Sequence, residues 1–476
     1  MSAPRPPILE EGVTCWRIAP AGRVAVLIDG ADYFAALLRA LRKACYRILI
    51  VGWDFDPRIR LDPSDPATEL RRLLRALVEE RPRLHVHLLI WDISIVFGPS
   101  RAVDQLLATG WPEHPRIGFC FDSRHPVGGA QHEKIVCIDD ALAFVGGIDM
   151  TVERWDTQRH AFEPDARRGP GGATYDPVHD LQLLVDGEAA RGVAELMRRR
   201  WAEATGEDLA PCERQRELWP DALVPAFTKV PVGIARTRPA AAGRAAVQEV
   251  AALNVAALAA ARRSVYIETQ YLAASSIADR LALLLERPDG PEVVILVWHK
   301  AIGWLERFAM GSNRDRLLRR LAAADRHGRL RAYWLGEPAE PPREVNLHAK
   351  LLIVDDVFLR IGSSNLNNRS LGLDSECDLA IEAADQRTRN GIAAVRDRLL
   401  AEHLVRPLEE VERAVAEAGL IAAVERLNRG QGRLRRYRIE PDAGPQEPFP
   451  GTALLDPAEP LEPDYLGRWL RHLLAE

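Results

Sequence analysis

The chain has 476 residues, with 63 Lys or Arg, 68 Asp or Glu and a formal net charge of -5 at pH 7. This length is sufficient for two or three domains, or for one large domain made of two similar halves. The slightly acidic balance provides no general electrostatic surface for nucleic acid, so nucleic acid is not an expected partner.

Cysteine usage and the N-terminal sequence indicate where the protein resides. The six cysteines are scattered without a CxxC pair, which favours a reducing, intracellular environment. The opening "MSAPRPPILEEG" lacks the basic and apolar succession of a signal peptide, and no window of 18 residues is free of charge. We therefore expect a cytoplasmic protein without a transmembrane segment, whose membrane contact, if any, is peripheral to the inner face.

Helical and strand-like runs alternate along the first half of the chain. The amphipathic run "ADYFAALLRALRKAC" precedes the strand-like "YRILIVGW", and "LHVHLLIWD", "QHEKIVCIDD", "ALAFVGGID" and "HDLQLLVDG" follow in that order. Short apolar runs between helical runs are typical of an α/β architecture, in which helices cover a sheet.

The second half repeats this order, with "VQEVAALNVAALAAARR", "SVYIETQY", "EVVILVWH", "LHAKLLIVDD", "VFLRIGSSN" and "ECDLAIEA". His132 and His348 are 216 residues apart, as are Gly146 and Gly362, so the chain is a tandem duplication. We place the first half at residues 1–215, the second at 216–440 and a Pro-rich, acidic tail at 441–476.

The most informative feature is a His-x-Lys pair that occurs in both halves, as His132 with Lys134 and His348 with Lys350. Residues two apart in a strand project from the same face, so each imidazole and ammonium should point together. The chain contains only five Lys against 58 Arg, and two of the five occupy these matching places. A half-buried His beside a surface Lys would explain one copy, but a duplicated pair is very unlikely by chance.

An anion fits such a pair better than a metal ion does. A protonated Lys repels a cation, whereas an imidazole beside an ammonium suits phosphate. Asp139 and Asp355 follow each Lys at an odd spacing, so they face away from it, and the double acids "IDDALAF" and "VDDVFLR" predict hairpin turns. These aspartates are therefore expected to brace a turn.

The two stretches resemble the signature of the phospholipase D superfamily, His-x-Lys-x4-Asp-x6-Gly-Gly/Ser-x-Asn/Asp. The matching residues are His132, Lys134, Asp139, Gly146, Gly147 and Asp149, and again His348, Lys350, Asp355, Gly362, Ser363 and Asn365. Segments such as "GGIDMTVERWDTQRH" and "IGSSNLNNRSLGLDSE" are more similar to the phosphatidylcholine-cleaving branch than to the nuclease branch. The resemblance implies two α/β/α sandwich halves packed together with one shared active site, and no cofactor or metal.

The resemblance also implies roles for individual residues. His132, Lys134, Asp139 and their counterparts His348, Lys350 and Asp355 form the catalytic motifs, with His132 as nucleophile and His348 as general acid and base, although the sequence alone does not order the two histidines. Gly147, Asp149, Trp155, Ser363 and Asn365 are the expected phosphate- or substrate-binding residues. Asp149 replaces the Asn of the other copy and should contact a Lys or the backbone, because a carboxylate does not donate to phosphate. Trp155 could line the lipid entrance, or pack as an ordinary core aromatic.

An attacking imidazole needs an acceptor on its other N–H to fix the tautomer. Asp180 in "HDLQLLVDG" matches Glu376 in "ECDLAIEA", so we pair Asp180 with His132 and Glu376 with His348. The alternative is that both are structural acids at the start of a strand.

The expected activity is hydrolysis of the distal phosphodiester of phosphatidylcholine or phosphatidylethanolamine, with transfer to other alcohols through a phosphohistidine. The first alternative is a cardiolipin-synthase-like phosphatidyltransferase. The second, which the sequence favours less, is a nuclease. The expected partner is a phospholipid at a membrane surface, and a monomer is expected because both motifs are in one chain.

Overall fold

The strand-like runs of both halves join in one large sheet. A computed structural model describes residues 5–92, 114–162, 166–212, 217–241, 243–299, 310–337, 341–439, 444 and 455–460. The first half contributes β1 (Arg17–Ile28), β2 (Arg47–Gly52), β3 (His85–Trp91), β4 (Ile117–Asp122), β5 (Ile135–Ile138), β6 (Leu142–Gly146), β7 (Val178–His179) and β8 (Leu181–Asp186). The second contributes β9 (Phe227–Arg238), β10 (Val247–Gln248), β11 (Ser264–Thr269), β12 (Glu292–Val297), β13 (Leu330–Leu335), β14 (Asn346–Leu347), β15 (Lys350–Val354), β16 (Phe358–Gly362), β17 (Glu376–Glu382) and β18 (Leu434–Arg436).

Helices lie between these strands, as the alternation in the sequence predicts. In the described residues they are α1 (Asp29–Leu41), α2 (Leu70–Glu80), α3 (Gly187–Thr205), α4 (Glu249–Ala259), α5 (Ser275–Glu286), α6 (Ser312–Ala324), α7 (Gln386–Leu404), α8 (Leu408–Ala418) and α9 (Leu420–Leu427). Within the described ranges, no helix has the length and apolar character that a bilayer-spanning segment requires.

The strand order displays the duplication. The sheet runs β18-β13-β12-β11-β15-β16-β17-β9-β1-β8-β6-β5-β2-β3-β4. From the central β9–β1 pair outwards the strands of the two halves follow the same order, and β18 is an additional strand at the edge of the second half. β2, β3 and β4 are parallel, as are β11, β12 and β13, whereas the motif hairpins pair antiparallel. The α/β class is confirmed. Because β1 and β9 pair edge to edge, one sheet spans both halves.

Three apolar cores stabilise this arrangement. One lies under the helices of each half, and the third is shared: Val145 and Leu183 of the first half are buried in the same cluster as Ile361 and Leu379 of the second. Burying apolar surface between the halves fixes their relative position, and this position determines which side chains meet at the seam.

The predicted boundary between residues 215 and 216 remains a prediction, although the first strand of the second half begins only at Phe227. Most of the predicted tail, 441–476, lies outside the described residues. Its described part includes Asp456, which is buried and accepts hydrogen bonds from the backbone N–H groups of Asn368 and Arg369. This piece of the tail therefore packs beside the second motif.

Candidate active site

Both motif histidines lie on the seam between the halves, immediately before the central strands β5 and β15. The N–H of His132 donates to the carbonyl of Ser375 at 2.9 Å, and the N–H of His348 donates to the carbonyl of His179 at 2.8 Å. β7 pairs with β14 in a separate two-stranded ladder, so the chain segments that carry the histidines are hydrogen-bonded to the opposite half. The two copies of the motif thus form one site.

The orienting carboxylates cross this seam. Nδ1 of His132 lies 2.9 Å from Oε1 of Glu376, and Nδ1 of His348 lies 2.7 Å from Oδ2 of Asp180. The predicted pairs, Asp180 with His132 and Glu376 with His348, are therefore wrong. The reason is the seam pairing itself, which brings the start of β8 beside His348 and the start of β17 beside His132.

This arrangement leaves Nε2 as the free nitrogen of each imidazole, because a carboxylate engages Nδ1. Burial, followed by the Lys134 charge, lowers the pKa of His132 well below its usual value. Burial and then Lys350 do the same to the pKa of His348. A lowered pKa favours the neutral ring, whose Nε2 lone pair can attack phosphorus or accept a proton, and it makes a ring that has taken up a proton a strong acid towards a leaving group.

The two carboxyl groups are unusual acids. Burial raises the pKa of Glu376 to about 7, against the opposing Lys134 charge. Burial likewise raises the pKa of Asp180 to about 6, against Lys350. Each carboxyl group therefore titrates close to the range of an ordinary histidine, and perturbed acids of this kind are characteristic of catalytic sites.

Lys134 and Lys350 are both fully buried, but their ammonium groups contact different partners. Lys134 lies just before β5 rather than within it, and its Nζ donates to the His132 carbonyl at 2.9 Å and lies 3.3 Å from Oδ2 of Asp149. This is the lysine contact expected for Asp149. Lys350 donates to the His348 carbonyl and, at 3.3 Å, to Oε1 of Gln270.

Lys350 has no carboxylate within ion-pair distance in the described residues, and burial lowers its pKa to about 7. Asn365 is the counterpart of Asp149 and is also buried, and its Oδ1 finds no hydrogen-bond partner in the described structure. The second copy of the motif therefore has the more weakly satisfied ammonium, which an anionic oxygen would stabilise.

Ser363 and Gly147 lie against the orienting acids rather than facing an open site. Oγ of Ser363 donates to Oε2 of Glu376 at 2.5 Å. At residue 147, a Cβ atom would lie 2.1 Å from Oδ1 of Asp180, a distance that no side chain tolerates. The two residues occupy equivalent places in the repeat, and both lie against an orienting carboxylate; their contact with phosphate stays a prediction.

Asp139 and Asp355 lie at the other end of the motif strands, apart from the histidines and lysines. Asp139 and Asp140 have φ values of 51° and 53°, and Asp355 and Asp356 have 54° and 57°, so both predicted hairpin turns are present. The Asp139 carboxylate accepts three backbone N–H bonds at 2.7 Å, from Cys45, Tyr46 and Arg47.

Asp355 accepts the equivalent three bonds, from residues 262, 263 and 264. Each aspartate therefore anchors the beginning of the neighbouring strand, β2 or β11. They contribute to the site by bracing the sheet, and their place among the catalytic residues is corrected accordingly.

Trp155 is half-buried, packs against the core of the first half, and lines a cavity of about 590 Å³. Arg154 lines the same cavity, together with Arg58, Arg60, Phe34 and Tyr175. The positive charge of Arg154 also contributes to the lowered pKa of His348. Trp155 thus both packs in the core and borders a basic cavity next to the site.

Three residues of the site were not identified from the sequence: Trp53, Gln270 and Arg154. The ring of Trp53 lies 6.4 Å from the His132 ring and 6.0 Å from Nζ of Lys134. Trp53 follows β2 and Gln270 follows β11, which are equivalent places in the two halves. Aligning "ILIVGW" with "VYIETQ" would have drawn attention to both positions.

His132 and His348 lie outside the groups of candidate metal ligands in the described residues. The described residues contain two groups of His, Asp and Glu that are close enough to hold an ion, and neither includes His132 or His348. Both groups contain His179 and lie behind Asp180. A cationic site with two lysines is suited to phosphate instead.

Comparisons with known proteins agree with this geometry. Residues 255–392 match the family model described as "Cardiolipin synthase, PLD-like domain". The chain is 24% identical over 436 residues to "Phospholipase D A" of Dictyostelium discoideum, covering 76% of this chain and 33% of that protein. It is also 24% identical over 531 residues to "Phospholipase D alpha 1" of Zea mays, covering 79% of this chain and 64% of that protein.

The chain thus spans about a third of the length of the Dictyostelium relative. Among solved structures, a phosphatidylserine synthase of Haemophilus influenzae Rd KW20 matches with a TM-score of 0.56 and 16% identity, covering 86% of this chain and 97% of that one. That likeness concerns the fold.

Proposed function

The chain belongs to the phospholipase D superfamily, and we propose on this premise that it hydrolyses the distal phosphodiester of glycerophospholipids, with phosphatidylcholine and phosphatidylethanolamine as substrates. The products are phosphatidic acid and the free headgroup alcohol. The observation that carries the proposal is the crossed pair of histidines, each with Nδ1 on a buried carboxylate and Nε2 free, beside two buried lysines.

In the first step, Nε2 of His132 attacks the phosphorus, and the bond from phosphorus to the headgroup oxygen breaks. His348 gives its Nε2 proton to the departing oxygen, so the alcohol leaves neutral and a phosphatidyl-histidine remains. Glu376 accepts a hydrogen bond from the Nδ1–H of His132 and stabilises the positive charge that the ring acquires as it bonds to phosphorus.

In the second step, His348 removes a proton from water at Nε2, and the resulting hydroxide attacks phosphorus. The bond from phosphorus to His132 breaks, phosphatidic acid leaves, and His348 is again protonated for the next cycle. An alcohol that enters instead of water takes the phosphatidyl group, so transphosphatidylation follows from the same intermediate.

The lysines and Asn365 stabilise the negative charge that builds on the phosphate oxygens during both steps. Non-bridging oxygens become more negative in the five-coordinate transition state, and preorganised cations in a dry site stabilise them strongly. Lys350 is the better candidate for direct contact, because it lacks a carboxylate partner in the described residues. Lys134, by contrast, forms an ion pair with Asp149. Asp149 therefore holds the lysine rather than the phosphate.

We also propose that the protein acts as a monomer in the cytoplasm, at the inner surface of the membrane, where its substrate is found. The basic cavity that contains Arg154 and Trp155 supports contact with an anionic lipid surface beside the site. The net charge of -5 argues against nucleic acid as a substrate.

A headgroup-release assay tests the proposal. Pure protein is incubated with vesicles of phosphatidylcholine, phosphatidylethanolamine or phosphatidylglycerol, with and without ethanol, and the lipid products are identified by mass spectrometry. The proposal predicts phosphatidic acid from the first two lipids and phosphatidylethanol when ethanol is present. No release from any lipid would overturn it.

A transferase is the second candidate, and the match of residues 255–392 to a family model described for cardiolipin synthase is the observation that favours it. In the same assay, a transferase would convert phosphatidylglycerol to cardiolipin while leaving phosphatidylcholine intact. Cleavage of single-stranded DNA or RNA, with binding that weakens steeply as salt rises, would instead indicate a nuclease.

A further inference from the structure

A second cluster of ionisable side chains lies behind the active site and takes no part in the proposed reaction. Asp29 begins α1, His160 follows the first motif, His179 is in β7, and Glu402 is in α7. All four side chains are buried, and one ligand atom from each lies within 4.8 Å of the others. We propose that these four residues bind one structural zinc ion through two imidazole nitrogens and two carboxylate oxygens.

The separations between the ligand atoms fit this assignment. Nδ1 of His179 lies 2.9 Å from Oδ1 of Asp29 and 3.0 Å from Oε1 of Glu402. Nε2 of His160 lies 3.0 Å from the same Glu402 oxygen and 3.6 Å from Oδ2 of Asp29. Ligands about 2.0–2.1 Å from a tetrahedral zinc ion lie roughly 3.3 Å apart, so these separations would change by only a few tenths of an ångström around an ion.

The second nitrogen of each histidine supports a metal ligand role. Nδ1 of His160 lies 2.9 Å from Oδ2 of Asp156, and Nε2 of His179 lies 2.9 Å from Oε2 of Glu268. Histidines that bind a metal through one nitrogen almost always donate the other N–H to a carboxylate or carbonyl, which fixes the tautomer and makes the ligand more basic. Both histidines of the cluster have this partner.

Unsatisfied atoms point to the same conclusion. Oδ2 of Asp29, Oε2 of Glu402 and Nδ1 of His179 are buried and find no hydrogen-bond partner in the described residues. Oδ1 of Asp29 lies 2.9 Å and Oε1 of Glu402 lies 3.0 Å from that Nδ1. The second oxygen of each carboxylate therefore keeps acceptor capacity that a cation would satisfy.

The charges also leave room for a divalent ion. Four carboxylates meet here, those of Asp29, Asp156, Glu268 and Glu402. Arg167 donates to Asp156, and Arg433 donates to the backbone carbonyl of Glu402. In the described part of the chain these two arginines are the permanent cations of the cluster. The remaining two negative charges can be balanced by one divalent cation or by two protons shared among His160, His179 and His403, the last of which lies 2.9 Å from Oε1 of Glu268.

The position of the cluster gives the ion a structural role. Three of its ligands come from the first half and Glu402 comes from the second, so an ion would join the halves. His179 precedes Asp180, and the N–H of Asp29 donates to the Asp180 carbonyl at 2.8 Å. The ion would therefore support the backbone that presents Asp180 to His348, without touching the substrate.

Metal content of the tag-free protein tests the inference. After brief dialysis against a chelator, which does not reach a fully buried site, mass spectrometry should find about one zinc ion per chain. Unfolding in denaturant with chelator, followed by refolding, should give a higher thermal midpoint with Zn²⁺ than without it. A protein that contains no stoichiometric metal and refolds equally well without Zn²⁺ would overturn the inference and leave two protons in the cluster.

Variants locate the ion. His160→Gln should lose the bound zinc, whereas His87→Gln should retain it, since His87 is also a buried histidine but packs on Trp201 outside the cluster. Full zinc content in folded His160→Gln would place the ion elsewhere and contradict the assignment. Should His160→Gln not fold, the metal content and zinc-dependent refolding of the unaltered protein still decide the question.

Discussion

Nδ1 of His132 lies 2.9 Å from Oε1 of Glu376, a residue 244 positions later in the chain and in the other half of the duplication. The reciprocal contact joins His348 to Asp180. Neither half therefore contains a motif histidine together with its orienting carboxylate. The fusion of two copies in one chain keeps both pairs together, because the seam that forms the site is part of a continuous sheet.

The crossed pairing predicts which variants behave alike. Phosphatidyl-p-nitrophenol has a leaving group that needs no protonation, whereas choline does need it, so the two substrates separate the nucleophile from the general acid. Asp180→Asn should reproduce the leaving-group dependence of His348→Asn, with phosphatidylcholine cleavage reduced by about 10²- to 10⁴-fold. Glu376→Gln should reproduce the behaviour of His132→Asn. Pre-steady-state release of p-nitrophenol provides the measurement.

The comparison does not depend on which histidine is the nucleophile. Each acid variant is compared with both histidine variants, and the crossed contacts require it to match the histidine of the opposite half. If Asp180→Asn matched His132→Asn instead, the pairing within each half would be correct and the seam geometry would be refuted.

Gly147 is expected to be intolerant of even one methyl group. A Cβ atom there would lie 2.1 Å from Oδ1 of Asp180, so Gly147→Ala must push the carboxylate away from His348. We expect kcat to fall by about 10- to 100-fold while the fold is retained, since the displaced group is one orienting acid. Gly172→Ala is a suitable control because no atom lies within 4 Å of the added Cβ, although its φ of 82° adds local strain. Equal activity of the two variants would contradict the steric argument.

Asp139 should matter for stability rather than for chemistry. Its carboxylate accepts three backbone N–H bonds at the start of β2. An asparagine amide has only one acceptor oxygen, and its NH2 group would face backbone N–H groups that are themselves donors. Asp139→Asn should lower the free energy of unfolding by about 2–3 kcal/mol, measured by urea denaturation. The folded variant should keep a kcat within about twofold of the unaltered protein. A large loss of kcat without a loss of stability would restore Asp139 to the catalytic residues.

The pH dependence of kcat/KM should be bell-shaped and narrow. Burial raises the pKa of Glu376 to about 7, and below that pH the protonated acid no longer stabilises positive charge on the His132 ring, so activity falls with acidification. Burial lowers the pKa of Lys350 to about 7, and above that pH the ammonium is lost, so activity falls in alkali as well. The two apparent values belong to the coupled site rather than to single residues.

Two variants assign the limbs of this profile. Lys350→Arg keeps its charge, so the alkaline limb should disappear even though the maximum is lower. Glu376→Gln cannot ionise, so the acid limb should disappear. Bound phosphate favours the charged lysine, and the alkaline limb of kcat should therefore lie at higher pH than that of kcat/KM. If both variants kept both limbs of the pH profile, groups other than Glu376 and Lys350 would be responsible for the limbs.

Periodicity and repetition were enough to predict the α/β class, the duplication and the hairpins at Asp139 and Asp355. Those features depend on local rules, since alternation specifies strands and two consecutive acids favour a turn with positive φ. The expectation that these aspartates face away from the lysines also depends only on the two-residue period of a strand. The positions of Trp53 and Gln270 were within reach of the same reasoning, because they follow equivalent strands.

The partners of the histidines were not predictable in this way. Asp180 and Glu376 were recognised as equivalent acids, but equivalence within a repeat does not reveal whether two halves exchange contacts across a shared seam. That choice depends on the pairing of β7 with β14 and of β1 with β9, which are long-range contacts without a local signal. The steric role of Gly147 depends on the same tertiary arrangement.

The most direct test of the account is to identify the covalent intermediate. The His348→Asn variant is mixed with phosphatidyl-p-nitrophenol, which needs no general acid, and quenched in alkali, which preserves phosphohistidine, before peptide mass spectrometry. His132→Asn is the control. The account predicts a phosphatidyl group on His132 in the first variant, trapped because the base that activates water is missing, and no adduct in the control. An adduct on another residue, or none on either histidine, would contradict it.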